Sequence, residues 1–189
     1  MTLGRAAKRA GITLVVSASL AACSKAPPTI EAGGVGDVRI GVSAEALEEA
    51  YPPERRQRVD LRLEGMPAPA FELMPEGTTR PDALVAELIE QDGTLRVFRI
   101  RIRDAALETE HGVGVGDTVG DLRASYALGR LIGGEGNLGI RVPALSATFL
   151  LDRERVQPGW WQTHDPSLVP DDVEIREIFL TAPLEPSGP

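Results

Sequence analysis

One cysteine, two histidines and 4% aromatic residues leave little material for several common chemistries in these 189 residues. A lone thiol can form no intramolecular disulfide, and no Cys pair is present to hold zinc. Neither His111 nor His164 stands in a His-Glu-x-x-His arrangement, and no Gly-x-Ser-x-Gly sequence occurs to raise a serine nucleophile. The longest apolar run, Gly11 to Ala22 (GITLVVSASLAA), has twelve residues. Spanning a bilayer takes roughly 20. No Asp or Glu precedes Glu31.

That last absence defines the start of the chain. Arg5, Lys8 and Arg9 make a positive n-region ahead of the apolar run, so residues 1–22 read as a signal peptide. The run ends in Leu20-Ala21-Ala22-Cys23, which resembles the bacterial lipobox. The resemblance implies diacylglycerol on the Cys23 thiol, cleavage before Cys23 and acylation of the new amine. Cysteine is needed because its thiol is the nucleophile that takes the lipid. One acyl chain binds a membrane only marginally; two or three hold it stably. Ser24 rather than Asp follows, which implies the outer membrane, with the inner membrane as the alternative. The protein is then expected to be lipid-anchored and periplasm-facing, with no disulfide even in an oxidising compartment.

The formal net charge is −8, and losing the three cations of residues 1–22 leaves −11. Such a chain repels phosphates, so nucleic acid is not an expected partner. Residues 23–37 are polar and rich in Pro, Gly and Ala, and read as a flexible tether; 182–189 read as a disordered tail.

Between them lies an internal echo. Residues 40–51 (IGVSAEALEEAY) align without gaps to 115–126 (VGDTVGDLRASY), sharing Gly, Leu and Tyr. Each copy reads as a Gly turn, a Ser or Thr N-cap and a short amphipathic helix. Thr118 with Asp121 has the spacing of a capping box. Strand patterns follow each helix: Val59–Leu63, Leu84–Glu90 and Leu95–Arg103, then Leu138–Val142, Leu145–Leu151 and Val173–Thr181. Gln91-Asp92-Gly93-Thr94 marks a hairpin. A three-residue loop there would set Leu88 opposite Phe98 and Glu87 opposite Arg99. The expected fold is α+β: a largely antiparallel sheet with short helices on one face, in two tandem helix–strand–strand–strand units, 38–110 and 111–181.

Leu95–Tyr126, with Gly112-Val113, Gly116-Asp117-Thr118 and Asp121-Leu122, followed by Leu145–Leu151 and Pro166–Leu180, resembles the sigma-E-regulated lipoproteins of enterobacterial envelopes. That family has no established activity, so the resemblance implies a fold and an envelope location but no chemistry. A fainter likeness runs to tandem helix-plus-sheet modules such as β-lactamase-inhibitor-like proteins.

Gly112-Val-Gly-Val-Gly116 is followed by Asp117, where a phosphate loop would carry Lys, so it reads as a turn between units. Gly129 to Gly139 reads as a mobile connection. His164-Asp165 and Ser167 are loop residues by sequence, and no catalytic residue, metal or cofactor is assigned. Arg99, Arg101 and Arg103 share a strand face; they read as a solvated face paired with Glu87, and alternatively as an anion dock. Trp160 and Trp161 lie in a long insertion, Asp152 to Asp172, where adjacent side chains point opposite ways, so one can pin the loop to the core while the other meets solvent or a partner. The candidate partner contacts are therefore Trp160, Trp161, Arg99 and Arg101. Two functions compete: a non-catalytic envelope protein that binds another envelope protein or supports structure, and a periplasmic small-molecule or glycan binder using an inter-unit cleft and the Trp160–Trp161 loop.

Overall fold

The computed structural model describes residues 26–63, 65–134, 137–155 and 159–182. Residues 1–22, read above as a signal peptide, Cys23 and the last seven residues lie outside them.

The chain opens with three two-residue strands, β1 (Ile30–Glu31), β2 (Gly34–Val35) and β3 (Val38–Arg39), paired as a small antiparallel meander. Helix α1 (Ala44–Ala50) leads into β4 (Arg56–Leu63), β5 (Met66–Leu73), β6 (Leu84–Gln91) and β7 (Thr94–Ile102). Helix α2 (Val119–Ser125) leads into β8 (Leu131–Gly134), β9 (Asn137–Val142), β10 (Ala147–Leu151), one helical turn α3 (Trp160–Thr163) and β11 (Ile175–Thr181). All eight longer strands form one antiparallel sheet, in the order β4-β5-β6-β7-β11-β10-β9-β8. The fold class is α+β, as the alternating patterns imply.

Period-2 alternation gives the sheet its two faces. One row runs across seven strands: Leu73, Leu84, Ile102, Ile178, Phe149, Ile140 and Leu131, each opposite the next. All seven are buried, and α1 (Ala44, Leu47) and α2 (Val119, Leu122) pack into the same cluster. The helices therefore cover one face, and the other is left open.

The echo in sequence has a counterpart in geometry. The Ser43 hydroxyl accepts from Ala46 N–H, and Thr118 and Asp121 make the reciprocal capping box. Gly41 (φ +89°) donates to the Val97 carbonyl, and Val97 donates back to Val42. Likewise Gly116 (φ +98°) donates to Ile175, and Ile175 donates back to Asp117. Each Gly turn is thus laced to a sheet strand, β7 or β11. Positive φ at these positions is what glycine tolerates and other residues do not.

Several expectations need correction. Residues 30–37, read as tether, are folded: Ile30, Val35 and Val38 are buried, and Ile30 N–H donates to the Glu108 carbonyl. The glycines there serve turns, with Gly33 and Gly36 at positive φ. Each unit contributes four strands to the sheet rather than three. β5 (MPAPAFEL) was hidden by Pro67 and Pro69, which sit before the stretch that pairs with β6, Ala70 to Leu73. A missing N–H there breaks no rung on that side. The supposed mobile Gly cluster supplies β8 and the start of β9.

The hairpin is also tighter than expected. Only Asp92 (φ 51°) and Gly93 (φ 77°) lie between the paired Gln91 and Thr94, the all-positive φ pattern of a type I′ turn. A bulge between Glu87 and Leu88 then places Leu88 opposite Val97 rather than Phe98, while Glu87 stays opposite Arg99.

Candidate functional site

The open face gathers the residues with the most unusual surroundings. Register places Val85, Arg101, Phe179, Thr148 and Arg141 in one row, with Glu87, Arg99 and Thr181 in the next. Glu87 is fully buried although it lies on the uncovered face. Arg99 pairs with its Oε2 at 2.7 Å, and Arg101 Nε donates to its Oε1. Both guanidiniums also lie over the Phe179 ring, at 5.1 and 4.9 Å from its centre. Arg103 turns away, donating to Glu177 at 2.8 Å and to Asp82 at 3.4 Å.

This arrangement answers the anion-dock reading in part. Two cations share one carboxylate, so the cluster keeps one formal positive charge, with Arg99 Nε and Nη2 and Arg101 Nε directed at Glu87. Beside it runs a shallow groove of about 240 Å³, lined by Arg99, Ile132, Asn137, Thr148, Leu150 and Phe179 among others. Phe179 is not among the candidate contacts read from the sequence. Its signal was present: in β11 the alternation buries Ile178 and Leu180 and turns Phe179 outward.

The long insertion is pinned to the body. Trp160 is buried, 8% exposed, so it anchors the insertion rather than offering a contact surface; the side chain of Trp161 lies outside what the structure describes. Arg123 on α2 donates to the carbonyls of Pro166 and Val169. Leu131 and His164 exchange contacts, with Leu131 N–H on the His164 carbonyl and His164 Nδ1 3.1 Å from the Leu131 carbonyl. Asp165 accepts from Ser167 N–H at 2.9 Å, a local turn rather than a catalytic pairing. The two halves of the sheet meet through β7 and β11 as neighbouring strands, so they share one continuous sheet at the place where the small-molecule alternative put an inter-unit cleft.

A second hollow, about 460 Å³, opens where residues 26–28 cross the C-terminal end of α1, with Asp37, Tyr51 and Arg55 in its wall. Burial, reinforced by the Asp37 carboxylate, pushes the Tyr51 hydroxyl up to about 12. The folded state therefore holds this proton more tightly than the unfolded chain. Its contribution is complete below pH ~10, the unfolded value, and is lost as pH rises toward 12. Stability is expected to fall by about 1.4 kcal/mol per pH unit in that window. With only two lysines and two tyrosines in the chain, few other groups titrate there. Tyr51→Phe should flatten the decline, read from urea midpoints at pH 9, 10 and 11. An unchanged slope would show that Tyr51 is not its source.

No family model matches the chain, and no curated protein matches it. Among solved structures, the crystal structure of the uncharacterized protein yfeY from Escherichia coli matches with a TM-score of 0.53 and 17% identity, over 82% of this chain and 99% of that one. At that identity the likeness is one of fold alone.

Proposed function

We propose that the chain is a bacterial envelope lipoprotein, anchored through Cys23, whose folded head binds another envelope protein or supports envelope structure without catalysis. The observation that carries it is the N-terminal order: three cations, twelve apolar residues, then Leu20-Ala21-Ala22-Cys23. Kinship with the sigma-E-regulated lipoproteins, drawn from the C-terminal motifs, belongs to the same proposal, as does an outer-membrane address. The non-catalytic part is supported by how the polar groups are used. Glu87 is engaged by two arginines, Asp104 accepts from Thr79, Arg80 and Ala106 N–H, and His164 and Asp165 serve turns.

Expression in a Gram-negative host with an alkyne fatty acid is expected to label the protein and bring it to the membrane fraction. Cys23→Ser should lose both the label and the membrane association while folding normally. A wild-type chain recovered unlabelled, with residues 1–22 still attached by mass, would overturn the reading.

A further inference from the structure

The lipid site and the folded domain are separated by very little chain. Pro27 already lies on the domain: a Cβ added at Gly77 would sit 2.8 Å from Pro27 N, Cγ and Cδ, so the loop and the proline are in close contact. Pro28 lies near Gly36, with its Cβ 3.1 Å from a Cβ added there. From Cys23 to Pro27 is four residues. Fully extended they reach about 14 Å. A diacylglycerol on Cys23 has its glycerol at the edge of the hydrocarbon, and the headgroup layer above it takes up about 5–7 Å of that reach. What remains is narrower than one α-helix with its side chains, about 10–12 Å.

We propose, resting on lipidation of Cys23, that the domain lies directly on the bilayer, with the β5–β6 loop (74–83) and residues 26–28 as the face that meets the lipid surface. The tether does not hold the head at a distance, and no folded partner fits beneath it.

The charge pattern of this face suits that position. The chain as a whole would be repelled by anionic headgroups, yet here opposite charges are paired with each other. Arg55 lies 3.6 Å from Glu76, Arg80 3.1 Å from Asp82, and Arg103 3.4 Å from Asp82. The face is near neutral, so the short anchor works against little repulsion. Binding partners then reach the head from elsewhere, including the β6–β7 hairpin, which stands at the far end of β6, about 25 Å along the strand.

The experiment uses the full lipoprotein in phosphatidylcholine vesicles containing headgroup-spin-labelled lipid. With Cys23 blocked by lipid, one introduced cysteine carries a fluorophore, in Thr79→Cys on the loop or in Gln91→Cys at the hairpin. Quenching is expected to be at least two-fold greater at position 79. Inserting twenty Gly/Ser residues between Ser24 and Lys25 should remove most of that difference. Equal quenching at the two sites, or a difference untouched by the insertion, overturns the proposal. Acyl mass on Cys23 and flotation with the vesicles are checked first. Their failure counts against the lipoprotein reading itself, whereas a floating protein with equal quenching counts only against this orientation.

Discussion

Glu87→Ala is expected to lower the stability of the domain by about 3–5 kcal/mol, the cost of removing one partner from a buried ion-pair cluster. Glu87 has no exposed surface, and the two guanidiniums that hold it are themselves mostly covered, with side chains 25% and 18% exposed for Arg99 and Arg101. Without the carboxylate both cations stay on the sheet with no counter-charge. Arg99→Ser leaves Glu87 paired with Arg101 and should cost less, about 1–2 kcal/mol. The asymmetry gives a sharper test. Replacing the whole cluster with apolar residues (E87L with R99M and R101M) should recover most of the loss, because well-packed apolar groups substitute for a buried ion cluster at little net cost. Urea midpoints with an unchanged m-value are the measurement. A Glu87→Ala protein within 1 kcal/mol of the parent would mean that these pairs behave as solvated surface bridges.

The other large effect is expected at Phe149. It is one of the two largest fully buried side chains, and stands between Ile178 of β11 and Ile140 of β9 on the covered face. Phe149→Ala leaves a cavity that the neighbouring strands, hydrogen-bonded on both sides, cannot collapse to fill. A loss of about 3–5 kcal/mol follows from the transfer and cavity terms together. Leu168→Ala is the control: that side chain is 46% exposed, and its removal should change stability by no more than ~0.5 kcal/mol. If Phe149→Ala matched Leu168→Ala, the seven-strand apolar row would not be the continuous core described above.

Much of the architecture was legible because its signals are local. The caps at Ser43 and Thr118 announced both helices, and Asp92-Gly93 announced its turn. The Glu87–Arg99 pairing was also readable, since both residues lie within one hairpin. Where reading failed, one local signal masked another. β5 is absent from the strand patterns because Pro67 and Pro69 interrupt it, and the structure pairs both prolines with β4 while keeping them out of the stretch paired with β6. The glycines of residues 33–36 and 129–139 looked like linkers, but glycine serves turns and close approach as readily as flexibility. At Gly139 an added Cβ would stand 2.6 Å from Thr148 Cγ2, so this glycine marks a packed strand. Adjacent tryptophans announced that one of the pair would face the core, but nothing near them in the chain declares that it is Trp160.

By itself, then, the sequence determined the α+β character, the two capped helix starts and which strand residues face inward. Each depends on residues within a few positions of one another, where side-chain type and spacing carry the information. Only the tertiary structure decided that β7 meets β11 and joins the halves into one sheet. It also decided that the insertion is nailed down by Trp160 and Arg123, and that Pro27 closes on Gly77. Strand edges meet through backbone groups that every residue shares, and contacts across tens of residues leave no mark on local spacing, so the sequence carries no comparable sign of them.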